Sequence, residues 1–171
     1  TGGSGALTLN GGNITSSGSV QGGGDMMFTS NSDIALNGFT GSGGTITLNA
    51  PGTILNTALL YAANNLYLLA DKIQNQGGDI LAGNSLWMQH DAAGNANSEI
   101  VNTSGTIETQ AGDITIKTGH LLNQWESITV GETTKENLAT NYTSQVPGTV
   151  QLPVSLFSTD EYHFLKCRFD S

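Results

Sequence analysis

The side chains that could do chemistry are few and poorly placed to act together. Asp25 and Asp113 fall at the same point of a recurring pattern, with Thr45, Asn65 and Ser85 between them, while Asp79 opens a different segment. Carboxylates serve as acid and base only when they converge on one bond, usually beside a cation that stabilises developing charge. These three sit at turn edges several repeats apart, and no Lys or Arg recurs beside them. A polysaccharide-cleaving enzyme is therefore the remote alternative, and the chain is expected not to be an enzyme. Asp160, Glu161, His163 and Cys167 are the one compact set of potential ligands. Strand alternation would put His163 and Cys167 on one face, as a zinc site needs. An ordinary strand explains the same spacing, so neither metal nor cofactor is expected. Gly22-Gly-Gly-Asp25 echoes calcium-binding Gly-Gly-x-Gly-x-Asp repeats, but no nine-residue period supports it. No Ser/His/Asp signature is present, nor a phosphate-cradling Gly loop that opens a helix.

Composition narrows the partners. Lys and Arg total 5 against 14 Asp and Glu, for a net charge of -9 over 171 residues. Phosphate backbones and anionic lipid surfaces are held by clustered cations, so nucleic acid and membrane surfaces are not expected partners. The 23 glycines stand beside only 3 prolines and regularly spaced apolar residues, a pattern of ordered turns and not of disorder. Cys167 is the single cysteine, which excludes an internal disulfide. No run reaches the ~18 apolar residues of a membrane-spanning helix. No secretory leader is recognisable, and Thr1 already falls in a repeat-like Gly/Ser stretch, so the chain is expected to be part of something longer.

The elements that must position any site come from a repeat. Met26, Ile46, Leu66, Leu86 and Ile114 form one apolar column, and Phe28, Leu48, Leu68, Met88 and Ile116 form another two residues on. The step is 20 residues except from Leu86 to Ile114, where the insertion 91–98 accounts for the excess and should protrude as a loop. Residues 5–24 fit an earlier coil with the first pair shifted by about one. A second apolar site recurs at Ile14, Ile34, Ile54, Ile73, Ile100 and Leu121, and a third at Val20, Phe39, Leu59, Ile80, Ile107 and Ile128. Three short strands per coil predict an all-β chain: a parallel β-helix, or β-solenoid, right-handed as parallel crossovers are. One coil cannot bury enough apolar surface to offset the entropy of ordering it, so coils must stack. Asn56, Asn75, Asn102 and Asn123 lie two residues after the second site, with Asn37 a looser fit. These are read as a structural column, since Asn tolerates tight turns and stacked amides can bond from coil to coil.

Residues 1–128 are thereby assigned to the solenoid and 129–171 to a non-repetitive tail. Val150, Leu152, Val154 and Leu156 alternate with polar residues, Pro153 confines that strand to an edge, and Tyr162 to Phe169 alternate again. A hairpin capping the last coil is the expectation. Between the two main columns the outward residues are Met27, Thr47, Tyr67, Trp87 and Thr115. Tyr67 and Trp87 should stack on neighbouring coils, with Phe157, Tyr162 or Phe164 packing against them. Together with Asp91 and Asn95 of the loop, these aromatics form the candidate contact surface.

The runs Gly78-Asp-Ile-Leu-Ala-Gly-Asn-Ser-Leu-Trp-Met-Gln89 and Ile100-Val-Asn-Thr-Ser-Gly-Thr-Ile-Glu-Thr-Gln-Ala-Gly-Asp-Ile-Thr-Ile-Lys-Thr-Gly-His-Leu-Leu-Asn-Gln124 resemble the filamentous-haemagglutinin repeats of two-partner-secretion exoproteins. The likeness is closest to the CdiA-type effectors of contact-dependent growth inhibition and covers about residues 5–128. Val150-Gln-Leu-Pro-Val-Ser-Leu156 resembles the start of the segment that follows the first repeat block. The resemblance implies a rod secreted through an outer-membrane transporter and held at the surface of a Gram-negative cell, and a monomer is expected. It implies that the following segment recognises an outer-membrane receptor on a neighbouring bacterium, after which a toxin is delivered. The expected function is a stalk; an adhesin that itself touches receptors or glycans is the alternative.

Overall fold

In the computed structural model, which describes residues 3–126, 157–159 and 165–167, every regular element is a strand. The chain divides into two compact units, Thr1–Ser127 and Ile128–Ser171. The first is a β-solenoid whose coils carry three strands each. Along one face run β1 (Leu7–Gly11), β4 (Met26–Ser30), β7 (Ile46–Asn56), β9 (Leu66–Gln76), β11 (Leu86–Gln89) and β14 (Ile114–Ile116), paired in that order and all in parallel. A second face stacks β2 (Ile14–Ser16), β5 (Ile34–Leu36), the later halves of β7 and β9, β12 (Glu99–Thr103) and β15 (Leu121–Gln124). The third is β3 (Val20–Gly22), β6 (Thr40–Ser42), β8 (Leu59–Ala62), β10 (Asp79–Ala82) and β13 (Thr106–Thr109). In the second unit β16 (Phe157–Thr159) and β17 (Leu165–Cys167) pair antiparallel.

Alternation within each strand sends every second side chain into a single core that runs up the axis. Met26, Ile46, Leu66 and Leu86 stack in one register, and Phe28, Leu48, Leu68 and Met88 in the next; all are buried. The first coil joins with Leu7 opposite Met26, a step of 19. In β7 the ladder slips between Ala50 and Thr53, where Pro51 and Gly52 form a bulge. Proline has no N–H to give a ladder, so a bulge is where a sheet accommodates one.

The third column differs by one residue from the sequence reading. Thr40 and Leu60, not Phe39 and Leu59, stand in register with Val20, Ile80 and Ile107. Leu59 is 37% exposed, whereas Thr40 and Leu60 are fully buried. Strand direction, not the larger side chain, decides which residue points inward. The Thr40 hydroxyl enters the core without a hydrogen-bond partner.

The eight extra residues between Leu86 and Ile114 also divide differently. Ile73 follows Leu66 by seven residues, but its register partner Ile100 follows Leu86 by fourteen. Seven of the eight therefore lie between β11 and β12. The eighth widens the turn from Thr109 to Asp113, since Ile114 follows Ile107 by seven where Leu86 follows Ile80 by six. How the tail lies against the last coil, including the expected cap, is outside the described residues.

Candidate functional site

The asparagine corner is a ladder of amides. Asn56, Asn75, Asn102 and Asn123 occupy one register position on successive coils. Nδ2 of Asn56 donates to Oδ1 of Asn75, Asn75 to Asn102, and Asn102 to Asn123, each at 2.8 Å. Each of the first three donors also binds a carbonyl in its own turn: Ala58 at 2.7 Å, Gly78 at 2.7 Å and Gly105 at 2.8 Å. Asn75 is completely buried, so every bond it makes matters. A Cβ on Gly105 would meet the Asn75 amide and the Gly78 carbonyl, which is why a glycine follows this corner. Asn37 is not part of the ladder. Leu36 pairs with Asn56, and Asn37 lies outside, accepting a 3.0 Å bond from the Thr57 hydroxyl. Because the Leu36 side chain carries no donor, Asn56 Oδ1 is left buried and unpartnered at the end of the ladder.

Two acids at turn edges, Asp25 and Asp33, are committed to structure as well. Asp25 Oδ1 accepts the backbone N–H of Thr45 at 2.7 Å, one coil on, and Asp33 Oδ1 accepts that of Thr53 at 2.7 Å. At later coils the Asp25 position holds Asn65, whose Oδ1 accepts from Ser85 N, and Ser85, whose hydroxyl accepts from Asp113 N. At Asp25, Asn65 and Ser85 this position supplies an acceptor that holds the next turn. No group of three or more His, Cys, Asp or Glu side chains is placed to hold a metal ion among the described residues. Cys167 ends β17, and His163 is outside the described residues.

The outer face of β9 and β11 is built otherwise. Tyr67 and Trp87 are register partners, and their rings stack with centroids 4.6 Å apart and planes 9° from parallel. Two residues on, Leu69 and Gln89 also point outward by alternation, yet each is only 6% exposed. The insertion covers them: it lies back along the sheet where the sequence suggested a protruding loop. A clasp holds it. Asp91 Oδ2 accepts from the Asn95 amide at 2.7 Å, and Asp91 Oδ1 accepts from Asn95 N at 3.2 Å. The Gln89 amide donates to the Asp91 carbonyl at 2.7 Å, and His90 N to the Asn95 carbonyl at 2.9 Å. The Asn95 side chain, more than any other neighbour, holds the Asp91 carboxyl below its ordinary range. At the loop's far end Asn97 bridges to Thr118 and is 3% exposed, with neither atom of its amide partnered.

Between the aromatic pair and the wall Ala92–Ala93–Gly94 lies an open groove of ≈ 550 Å³. Its floor continues to Thr47 and Thr115, and Lys117 closes one side. Leu69, Gln89 and Lys117 were not singled out from sequence, although carrying the outward alternation one step past Trp87 would have reached them. Of the candidate contact residues, Tyr67, Trp87, Asp91 and Asn95 belong to this region. Phe157 begins β16, and Tyr162 and Phe164 are outside the described residues, as is the proposed packing of all three on the aromatic pair.

Comparison with known proteins gives the sequence its relatives. The chain is 50% identical over 151 residues, 88% of its length, to the "tRNA nuclease CdiA" of Escherichia coli O6:K15:H31. The chain belongs to the CdiA family of contact-dependent growth inhibition proteins. It is 58% identical over 118 residues, 69% of its length, to the "16S rRNA endonuclease CdiA" of Enterobacter cloacae subsp. cloacae. To the "Deoxyribonuclease CdiA" of Dickeya dadantii it is 46% identical over 144 residues, or 84%. It spans 5%, 4% and 4% of those relatives, respectively. No family model and no solved structure matches it. The family names correct the expectation that the chain is not an enzyme, for these relatives are named as nucleases. That expectation rested on carboxylate spacing within 171 residues, which is silent on so large a remainder.

Proposed function

We propose that this chain is a stiff spacer in a secreted cell-surface protein that carries a nuclease toxin to neighbouring bacteria. In this reading the rod leaves its cell through an outer-membrane two-partner-secretion transporter and stays anchored at the outer membrane as a monomer. It presents an adjoining region to an outer-membrane receptor on the target cell. The observation that carries the reading is the unbroken register of six strands, β1 to β14, on one core and with the amide ladder at one corner. Bending such a rod would open ladder bonds on one side of several coils at once, so stacking gives stiffness directly. At about 4.8 Å per coil the six coils rise about 3 nm. Reach would therefore be summed over many such coils. The names of the relatives supply the nuclease cargo, and nucleic acid is proposed as a substrate of the whole protein, not a partner of these acidic coils.

Excising residues 46–65 from the full-length protein tests this. Leu66 then takes the register position of Ile46, and the columns close without a gap. Surface display and killing of target cells should both stay within about twofold of the parent. Normal display with killing abolished would show that the segment does more than hold distance.

A further inference from the structure

The Tyr67–Trp87 stack ends with one aromatic face open. Trp87 has Tyr67 as its register partner on one side and Thr115 on the other. One ring face lies on Tyr67, and the opposite face looks toward a side chain much smaller than a ring. The position a third ring would take is thus free, and it gives onto the groove walled by Ala92–Gly94. At ≈ 550 Å³ the groove is of the size that holds small ligands, about 300–1,000 Å³.

Its polar groups decide what kind of ring fits. Gln89 spends its amide N–H on the Asp91 carbonyl, leaving Oε1 to accept from a ligand. Thr47 and Thr115 line the floor, and their hydroxyls can donate or accept. Lys117 forms no ion pair among the described residues, and its Nζ lies beside Gly94, where a Cβ would come within 2.7 Å of it. An aromatic side chain from a protein partner would satisfy Trp87 and leave these groups unmet. A lipid chain would leave the ammonium and the amide desolvated and unpaired, which is costly. A pyranose ring answers all of them: its C–H face packs on the electron-rich indole face, and its hydroxyls reach Gln89 and the threonines. An acidic substituent would meet Lys117, while the net charge of -9 disfavours a ligand with many negative charges.

We propose that this groove binds a short saccharide carrying a single acidic group. The assignment is independent of the spacer reading, because binding is measured on the 171-residue chain and coil excision on toxin delivery.

Titration calorimetry of the whole chain against lactose, sialyllactose, an aldobiouronic acid and a heparin fragment tests it. At least one mono-acidic sugar should bind at least fivefold tighter than lactose, and the heparin fragment no tighter than lactose. K117Q should abolish the preference for acid while leaving lactose binding within twofold. Trp87→Ala should weaken all binding at least tenfold. Thr115→Trp should fill the open ladder position, keep or raise the melting temperature, and weaken binding at least tenfold, which separates occupancy from folding. Equal affinity for lactose and both acidic sugars, no heat from any sugar at millimolar concentration, or unchanged binding by Thr115→Trp would each overturn the assignment.

Discussion

The asparagine corner and the loop-covered outer face are both built by stacking coils, but they are held by different physics. At the corner, identical residues repeat in register and each amide bonds to the next, with Asn56, Asn75 and Asn102 buried. On the outer face the register positions hold unlike residues: Thr47, Tyr67, Trp87 and Thr115 in one column, Leu69 and Gln89 in the next. A seven-residue interruption covers that face and shapes a groove. Repetition produces stiffness, and the break in repetition produces a concavity.

The sharpest way to break the comparison is inside the ladder. Asn75→Ala removes the acceptor for Asn56 Nδ2, the donor for Asn102 Oδ1 and the bond to the Gly78 carbonyl, all in a fully buried turn. Leaving buried polar groups unpaired costs about 1–3 kcal/mol each, so a loss of about 3 kcal/mol or more is expected in urea unfolding. Asn123→Ala at the exposed end forfeits a single ladder bond and should cost about 1 kcal/mol or less. Equal losses at the two positions would mean that the amides do not act as a ladder.

Two substitutions should stabilise, because the core contains polar groups that nothing satisfies. Asn97 sits one residue before Ser98, which bonds to Asp71 as the next coil would, so it extends the column of Ala50 and Ala70. Asn97→Ala removes two unpartnered amide atoms and should raise stability by about 1–2 kcal/mol. Thr40→Val exchanges an unpartnered buried hydroxyl for a methyl beneath Leu60 and should gain about 1 kcal/mol. Both are read from the denaturation midpoint at constant m-value. A destabilised Asn97→Ala would show that the loop's anchor, and not only its clasp, depends on that amide.

The period of the solenoid was legible because inward residues must recur where coils stack: Ile46, Leu66 and Leu86 could not shift without exposing a core side chain. Errors fell where two neighbouring residues were both plausible occupants. Phe39 outranks Thr40 in hydrophobicity, and Asn37 matches the ladder chemistry that Leu36 lacks, so composition pointed one way and the pleat the other. The groove was only half legible. The outward stacking of Tyr67 on Trp87 followed from register, but a Gly/Asn/Ala-rich insertion carries no signal of the direction in which it will fold. The Asp91–Asn95 clasp that folds it back is a local pair four residues apart, a spacing that recurs by chance throughout an Asn-rich chain. The relatives' names speak of a chemistry that spacing could not reach, since an activity named for whole proteins leaves no trace in repeat periodicity.

The smallest expected effect is the one that isolates the loop. The Asp91 carboxyl is held below its ordinary value of 3.8 by the Asn95 amide, so the unfolded loop takes up a proton at a higher pH than the folded one. The clasp's contribution is therefore complete above the unfolded pKa and fades as pH falls through the folded one. Asp91 is only half-buried and lies outside the core, so global melting should be insensitive to this titration. The backbone N–H of Asn95, which donates to Asp91 Oδ1, should lose hydrogen-exchange protection as pH falls below the ordinary carboxyl value of 3.8, while that of Asn75 in the ladder strand keeps its own. Asn95→Ala should lose part of this protection already at neutral pH and respond less to acidification, because the side-chain amide that lowers the carboxyl most is gone while the backbone N–H of residue 95 still donates to it. If the two amides instead lost protection together, the loop and the coils would be one cooperative unit, and the groove could not be altered without softening the rod.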